Sequence, residues 1–202
     1  MIFRAWFLDT GKWKNLLRYK VNYETNRDYK HGVNYLLSLW WNIIAIVCDW
    51  RIWLLNWFWS IPTQMCIVHQ KWIIRRYLTK RPRIEANREL KEIADNIWIW
   101  REETLFLWLE DWYKRNNKWL YEKNEKNENN NYRHERTIKA YKSIKKNLPY
   151  LHTFKRYPDL WIPETNNSLE SINSHLKTKL RIHRWLKEYR KDKFISYYLR
   201  LS

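Results

Sequence analysis

The chain has 202 residues, 39 Lys and Arg against 21 Asp and Glu, and a formal net charge of +18, a balance that seeks a polyanion, nucleic acid before membrane. That length holds one good core, or one core carrying an insertion, and a single domain is expected. Cys48 and Cys66 are too few for a disulfide framework and imply free thiols in a reducing cytoplasm, while the apolar run at 36–48 is too short to span a bilayer and is broken beyond by Asp49, Arg51 and Asn56.

Residues 1–8 read as a strand and 16–22 as a second, joined by Asp9, Thr10, Gly11 and Lys12, which have hairpin-turn chemistry. The opening run carries Arg4 and nothing resembling a signal-peptide cleavage site. Tyr29, Val33, Leu36 and Leu37 form a helical stripe over 25–39. The mostly β-branched run Ile43, Ile44, Ala45, Ile46, Val47 and Cys48 predicts a strand buried on both faces and stopping on Asp49. A carboxylate at the C-terminal end of a core strand is where open α/β sheets gather ligands and catalytic groups. Capping of a helix beginning near Arg51 explains Asp49 equally well.

Downstream, 51–58 predicts a short helix, 64–68 a short strand, and His69 opens a helix through Tyr77 that Pro82 closes off. From 85 to about 121 the pattern is helical and amphipathic. The segment 123–131, KNEKNENNN, has no core residue and reads as an exposed, mobile loop. A basic helix follows at 136–146, ended by Pro149, and 150–163 is a loop. In 164–184, Leu169, Ile172, Leu176 and Leu180 recur at helical spacing and face the core, while Glu170 and Lys177 share another face with Asn173 between them. Taken alone, a glutamate in a first helical turn is usually solvated and favoured by the helix dipole. A last amphipathic helix covers 186–201.

One feature of composition is abnormal: 16 Trp against 2 Gly, where an ordinary protein has about 7% Gly and Trp among its rarest residues. Several tryptophans fall where a turn needs glycine, at Trp40 after a helical pattern, Trp50 after the strand-end Asp, Trp59 before Ser60, and Trp185 between two helices. A gene that reads UGA as glycine, translated with UGA as tryptophan, accounts for both facts.

Asp49, Arg51, a Cys-x-x-His-Gln at Cys66, His69 and Gln70, a Thr-Asn-x-x-Glu helix start at Thr165, Asn166, Asn167 and Glu170, and His183-Arg184-Trp185 lie in order along the chain. Together they resemble bacterial insertion-sequence transposases of the mutator type, a likeness collinear over nearly the whole chain. That family favours Gly where this chain has Trp50, Trp53, Trp59 and Trp185. The resemblance implies an α/β, ribonuclease-H-like mixed sheet, with an all-α insertion before the helix of the catalytic Glu. Its parts would be a sheet-rich half at 1–80, a helical insertion at 84–148 with a mobile loop at 122–132, and the catalytic-Glu helix with a basic C-terminal helix at 164–202. It implies Asp49 and Glu170 as catalytic carboxylates that converge to hold Mg2+ or Mn2+, in a cytoplasmic, nucleoid-associated DNA transposase acting on transposon ends and target DNA as a homo-oligomer. Such enzymes use a third acidic residue on an opening strand upstream of the one matched by 1–8, so an N-terminally truncated catalytic domain that binds DNA without cutting it is expected.

Two cations activating the attacking hydroxyl and stabilising the leaving oxygen need few carboxylates, and magnesium suits oxygen ligands. Lys177, Arg181, His183, Arg184 and Lys187 would hold the DNA backbone, positioning rather than specifying. Cys66 and His69 invite a zinc reading, but no second ligand pair at metal spacing is evident, so a structural role is expected for them and for Asn167. A ribonuclease-H-like nuclease without transposition, or a non-catalytic basic DNA-binding protein, are the alternatives.

Overall fold

The computed structural model describes residues 3–9, 14–21, 25–49, 60–124 and 132–201. The fold is mixed α/β and mostly helical, in two compact units, one of residues 1–44 with 166–202 and the other of 45–165. The predicted helix at 51–58, Trp50, Trp53 and Trp59, Arg51, and most of the predicted mobile loop lie outside the described residues.

In the first unit, β1 (Phe3–Asp9) pairs antiparallel with β2 (Lys14–Val21), from Phe3 opposite Val21 to Asp9 opposite Lys14, with a register shift between Phe7 and Leu8. Asp9, expected in the turn, is the last paired residue of β1. Helix α1 (Asn26–Ser38) starts on a reciprocal cap: the Thr25 hydroxyl accepts from the Asp28 backbone N–H at 3.3 Å, and the Asp28 carboxylate accepts the Thr25 N–H at 2.8 Å. It ends with Trp40 N–H donating to Leu37 O (3.0 Å) and Trp41 N–H to Leu36 O (3.1 Å), the Schellman pair that puts a left-handed residue just past the helix. That residue is Trp40, with φ 62°, and its side chain is 95% exposed. Two further helices close this unit's chain, α7 (Asn167–Ile182) and α8 (Glu188–Leu201) in chain-order numbering. They pack through Leu176, Ile195 and Leu199, with Ile172, Leu180, Phe194 and Tyr198 around them.

In the second unit, β3 (Ile46–Cys48) runs parallel to β4 (Thr63–Met65), with Ile46 opposite Thr63 and Cys48 opposite Met65. Cys66 extends the ladder by donating its N–H to Cys48 O at 2.8 Å. The strand expected over 43–48 is therefore shorter. Ile44 is 51% exposed, and Ile46 and Val47 are half-buried. Among the described residues β3 has one strand neighbour, β4, so only part of the apolar run is covered, and it is β4 that is buried throughout. Helix α2 (Ile67–Leu78) begins two residues before His69, directly after the short β4. The long helical pattern from 85 divides into α3 (Glu85–Asp95) and α4 (Glu102–Leu120), and α5 (Glu135–Leu151) continues past Pro149. Pro149 sits in the final turn, where its missing N–H costs one bond, so the helix stops two residues later than expected. The predicted loop after it contains α6 (Thr153–Arg156) and a 3₁₀ turn, Pro158–Leu160, closed by Trp161 at φ 49° and 89% exposure.

The helices of this unit close on Ile74, Leu90, Leu109, Trp112 and Ile144, each at most 1% exposed. Buried polar groups tie them to the strand pair. Gln64 donates from Nε2 to Leu151 O (3.1 Å) and accepts from Phe154 N–H (3.1 Å), and the Thr153 hydroxyl donates to Thr63 O (2.7 Å). No described helix is long and apolar enough to cross a membrane.

Candidate active site

The parallel pair ends on Cys48 and Met65, and the chain leaves it at Asp49 on one side and at Cys66 and α2 on the other. Because His69 is the third residue of α2, the helix brings its imidazole back to the strand end, where Nδ1 lies 3.1 Å from Asp49 Oδ1. Asp49 is 40% exposed and His69 26%. A carboxylate at a strand terminus, held against an imidazole and open to solvent, can accept a proton, orient a hydroxyl or ligate a hard cation.

The cysteines beneath differ in chemistry. Cys48 and Cys66 are both buried, and burial first, then the nearby Asp49 carboxylate and Cys66, push the Cys48 thiol up to about 12. It is an inert packing group rather than a nucleophile. Gln70, next to His69, points the other way around the helix into the core. Its Oε1 accepts from Asn147 Nδ2 at 2.8 Å and its Nε2 donates to Ser143 Oγ at 3.3 Å. Successive helical residues diverge by about 100°, so one end of α2 serves both the open carboxylate and the core.

Glu170 belongs to the other unit, in the first turn of α7, where its N–H donates to Asn166 O at 3.1 Å and its side chain is exposed. Asn167 begins that helix and is exposed. Lys177 and Arg181, on the same helix, are exposed, as are Arg184 and Lys187 beyond its end. His183 is half-buried, its ring 5.8 Å from Phe194 and 6.0 Å from Trp185, so packing takes up part of its surface.

A cleft of about 580 Å³ in the second unit, whose walls include Arg81, Arg83, Arg133 and Arg136, was passed over in the sequence. Its sequence signal was present, since five of nine residues in Arg75, Arg76, Tyr77, Leu78, Thr79, Lys80, Arg81, Pro82 and Arg83 are basic. Compared with protein-family models, curated proteins and solved structures, the chain matches none.

Proposed function

We propose that the chain is a ribonuclease-H-like catalytic domain of the DNA-transposase type, whose reaction is metal-dependent phosphodiester cleavage and strand transfer, with Asp49 and Glu170 as two of its catalytic carboxylates; these two alone are too few for the cut, so the chain as it stands binds DNA without cutting it. The observation that carries this reading is Asp49 at the end of a parallel strand, partly exposed and 3.1 Å from His69. The net charge of +18 supports a nucleic-acid substrate.

Asp49 suits a hard cation such as Mg2+ or Mn2+, because it offers carboxylate oxygens with solvent access whereas the neighbouring thiols are buried. Asp49 and Glu170 are the residues that would hold it, and the ion, when bound, would polarise the phosphate and favour the attacking hydroxylate. The chain's own contribution is positional. The ladder through Cys66 N–H and Cys48 O fixes the strand end, and α2 sets His69 Nδ1 3.1 Å from the carboxylate. Lys177, Arg181, Arg184 and Lys187 hold DNA phosphates without reading sequence.

Binding of Mn2+ followed by electron paramagnetic resonance tests the assignment. Asp49→Asn and Glu170→Gln should each weaken it at least about tenfold, a loss of roughly 1.4 kcal/mol or more, while duplex affinity changes less than about twofold. Unchanged Mn2+ affinity in folded variants would remove the carboxylates from the site. Neither hydrolysis nor joining of a labelled DNA 3′ end into a plasmid should occur with this chain by itself; Mg2+-dependent cutting by it would show that a third carboxylate is already present, with Asp9 the first to test.

A further inference from the structure

The cleft in the helical unit has a composition that the strand-end site does not use. Helix α2 ends at Leu78, and Thr79 follows with φ 70° and ψ 171°, a sparsely populated conformation that a β-branched residue adopts only under constraint. That turn throws the basic segment around Arg81 and Arg83 against the start of α5, where Arg133 and Arg136 stand. Arg136 is anchored, its guanidinium donating to Arg76 O at 2.5 Å. Among the described residues, no carboxylate is paired with Arg81, Arg83 or Arg133. Among the described residues the one acidic group in the wall is Glu135, held by Lys139 one turn on at 2.6 Å. The cleft therefore concentrates positive charge at the N-terminal end of a 17-residue helix, whose dipole adds to it.

An aromatic wall completes it. Tyr132 is 43% exposed, and its ring is fixed edge-on to Tyr121 at a centroid distance of 5.1 Å. Below, Trp119 stacks on His134 at 3.7 Å, and the Arg133 N–H donates to Glu122 O at 2.8 Å, so the backbone carrying Tyr132 and Arg133 is held at both ends. About 580 Å³ lies within the range of small-ligand pockets, room for one nucleotide. Basic residues continue along the chain beyond the cleft as Arg76 and Lys80, both exposed, while Arg75 is paired with Asp95 at 3.6 Å, so the charge extends past a single phosphate. Arginines along a track and an exposed aromatic ring are what a single strand requires, with phosphates on the guanidinium groups and a base on the ring.

We infer that this cleft binds a single-stranded nucleic-acid segment, its phosphates on Arg81, Arg83 and Arg133 and one base stacked on Tyr132. The inference rests on the nucleic-acid partner proposed above, but not on the chemistry at Asp49.

Binding of the full chain to a fluorescent twelve-nucleotide oligothymidylate and to a duplex of the same length, across a salt series, tests it. The triple variant Arg81→Gln, Arg83→Gln, Arg133→Gln should weaken single-strand binding roughly 30- to 100-fold at 0.1 M salt and flatten the log–log salt slope by about 2, near 0.7 for each lost phosphate contact. Tyr132→Ala should cost about 5- to 150-fold and Tyr132→Phe should restore it. A strand carrying 5-iodouracil, crosslinked to unaltered protein, should attach to the Tyr132 peptide, which needs no variant to fold. Wild-type single-strand affinity in the folded triple variant, loss confined to duplex, or crosslinks only elsewhere would each overturn the cleft assignment. Those results leave the Mn2+ experiment untouched, whereas unchanged Mn2+ affinity in folded Asp49→Asn with an intact cleft response would overturn only the catalytic reading.

Discussion

Trp40 and Trp161 show how one side chain can contradict the backbone that carries it. Both hold positive φ and both are almost wholly exposed, so their indoles gain little from burial while their Cβ atoms pay the steric cost of the left-handed region, about 1–2 kcal/mol. Trp112 is the opposite case: fully buried, with Nε1 donating to Ala86 O at 2.9 Å. Trp40→Gly and Trp161→Gly should each stabilise the protein by roughly 1 kcal/mol after the extra freedom of glycine in the unfolded chain is offset. Trp112→Phe should destabilise it by about 1–3 kcal/mol because the Ala86 carbonyl loses its buried partner. Urea unfolding measures all three. If the recoding idea is right, the gene carries UGA at positions 40 and 161 and UGG at 112; UGG at all three would defeat it. Trp185, suspected on the same grounds, does not have positive φ, so the turn at 183–185 does not by itself require glycine.

At the scale of elements, α2 sets the geometry of the strand end. Its rotation about its own axis decides whether His69 meets Asp49, and that rotation is held by Gln70 bonding to Asn147 and Ser143 on α5. Asn147→Leu should cost roughly 1–3 kcal/mol because Gln70 Oε1 is left buried without its donor, and adding Gln70→Leu should recover much of that loss, since the one group then deprived of Gln70 is the part-buried Ser143 hydroxyl. A chemical-denaturation double-mutant cycle reads the coupling, and strictly additive losses would show that the pair does not hold the helix.

At the scale of the whole molecule, stability depends on pH through buried imidazoles. His152 is 1% exposed, and burial first holds its basicity below the ordinary histidine value; Nε2 faces the Ile97 carbonyl at 2.9 Å and must carry the proton of the neutral ring. Burial lowers His134 in the same direction. The unfolded chain then binds more protons than the folded one below the ordinary histidine value, so this contribution is fully present above about pH 6.5 and is lost as pH falls. The melting temperature should drop between about pH 7.5 and 5.5, with a slope approaching roughly 1.4 kcal/mol per pH unit for each such imidazole, and His152→Gln should flatten it. A pH-independent melting temperature across that window would show that neither imidazole is held neutral by the fold.

Much of the local structure was legible in the sequence because it depends on near neighbours. The hairpin follows from turn residues between two apolar runs, α1 from Thr25 and its stripe, and α7 from Leu176 and its periodic companions, all short-range preferences that the chain carries in its order. The positive φ of Trp40 was legible too, as a helix end lacking the glycine it needs. The amount of β3 that forms was not, because burial of an apolar run depends on how many strands flank it, a property of partners far away in sequence. Nor was the split of the long helical pattern into α3 and α4, which share one core around Leu90, Leu109 and Trp112. Asp49 could be named from its position after an apolar run, and His69 from the Cys-x-x-His spacing. Their 3.1 Å approach was decided by the tertiary structure alone, since only the parallel pairing of β3 with β4, and the axial rotation of α2 held from α5, bring residues twenty apart in the chain onto one edge.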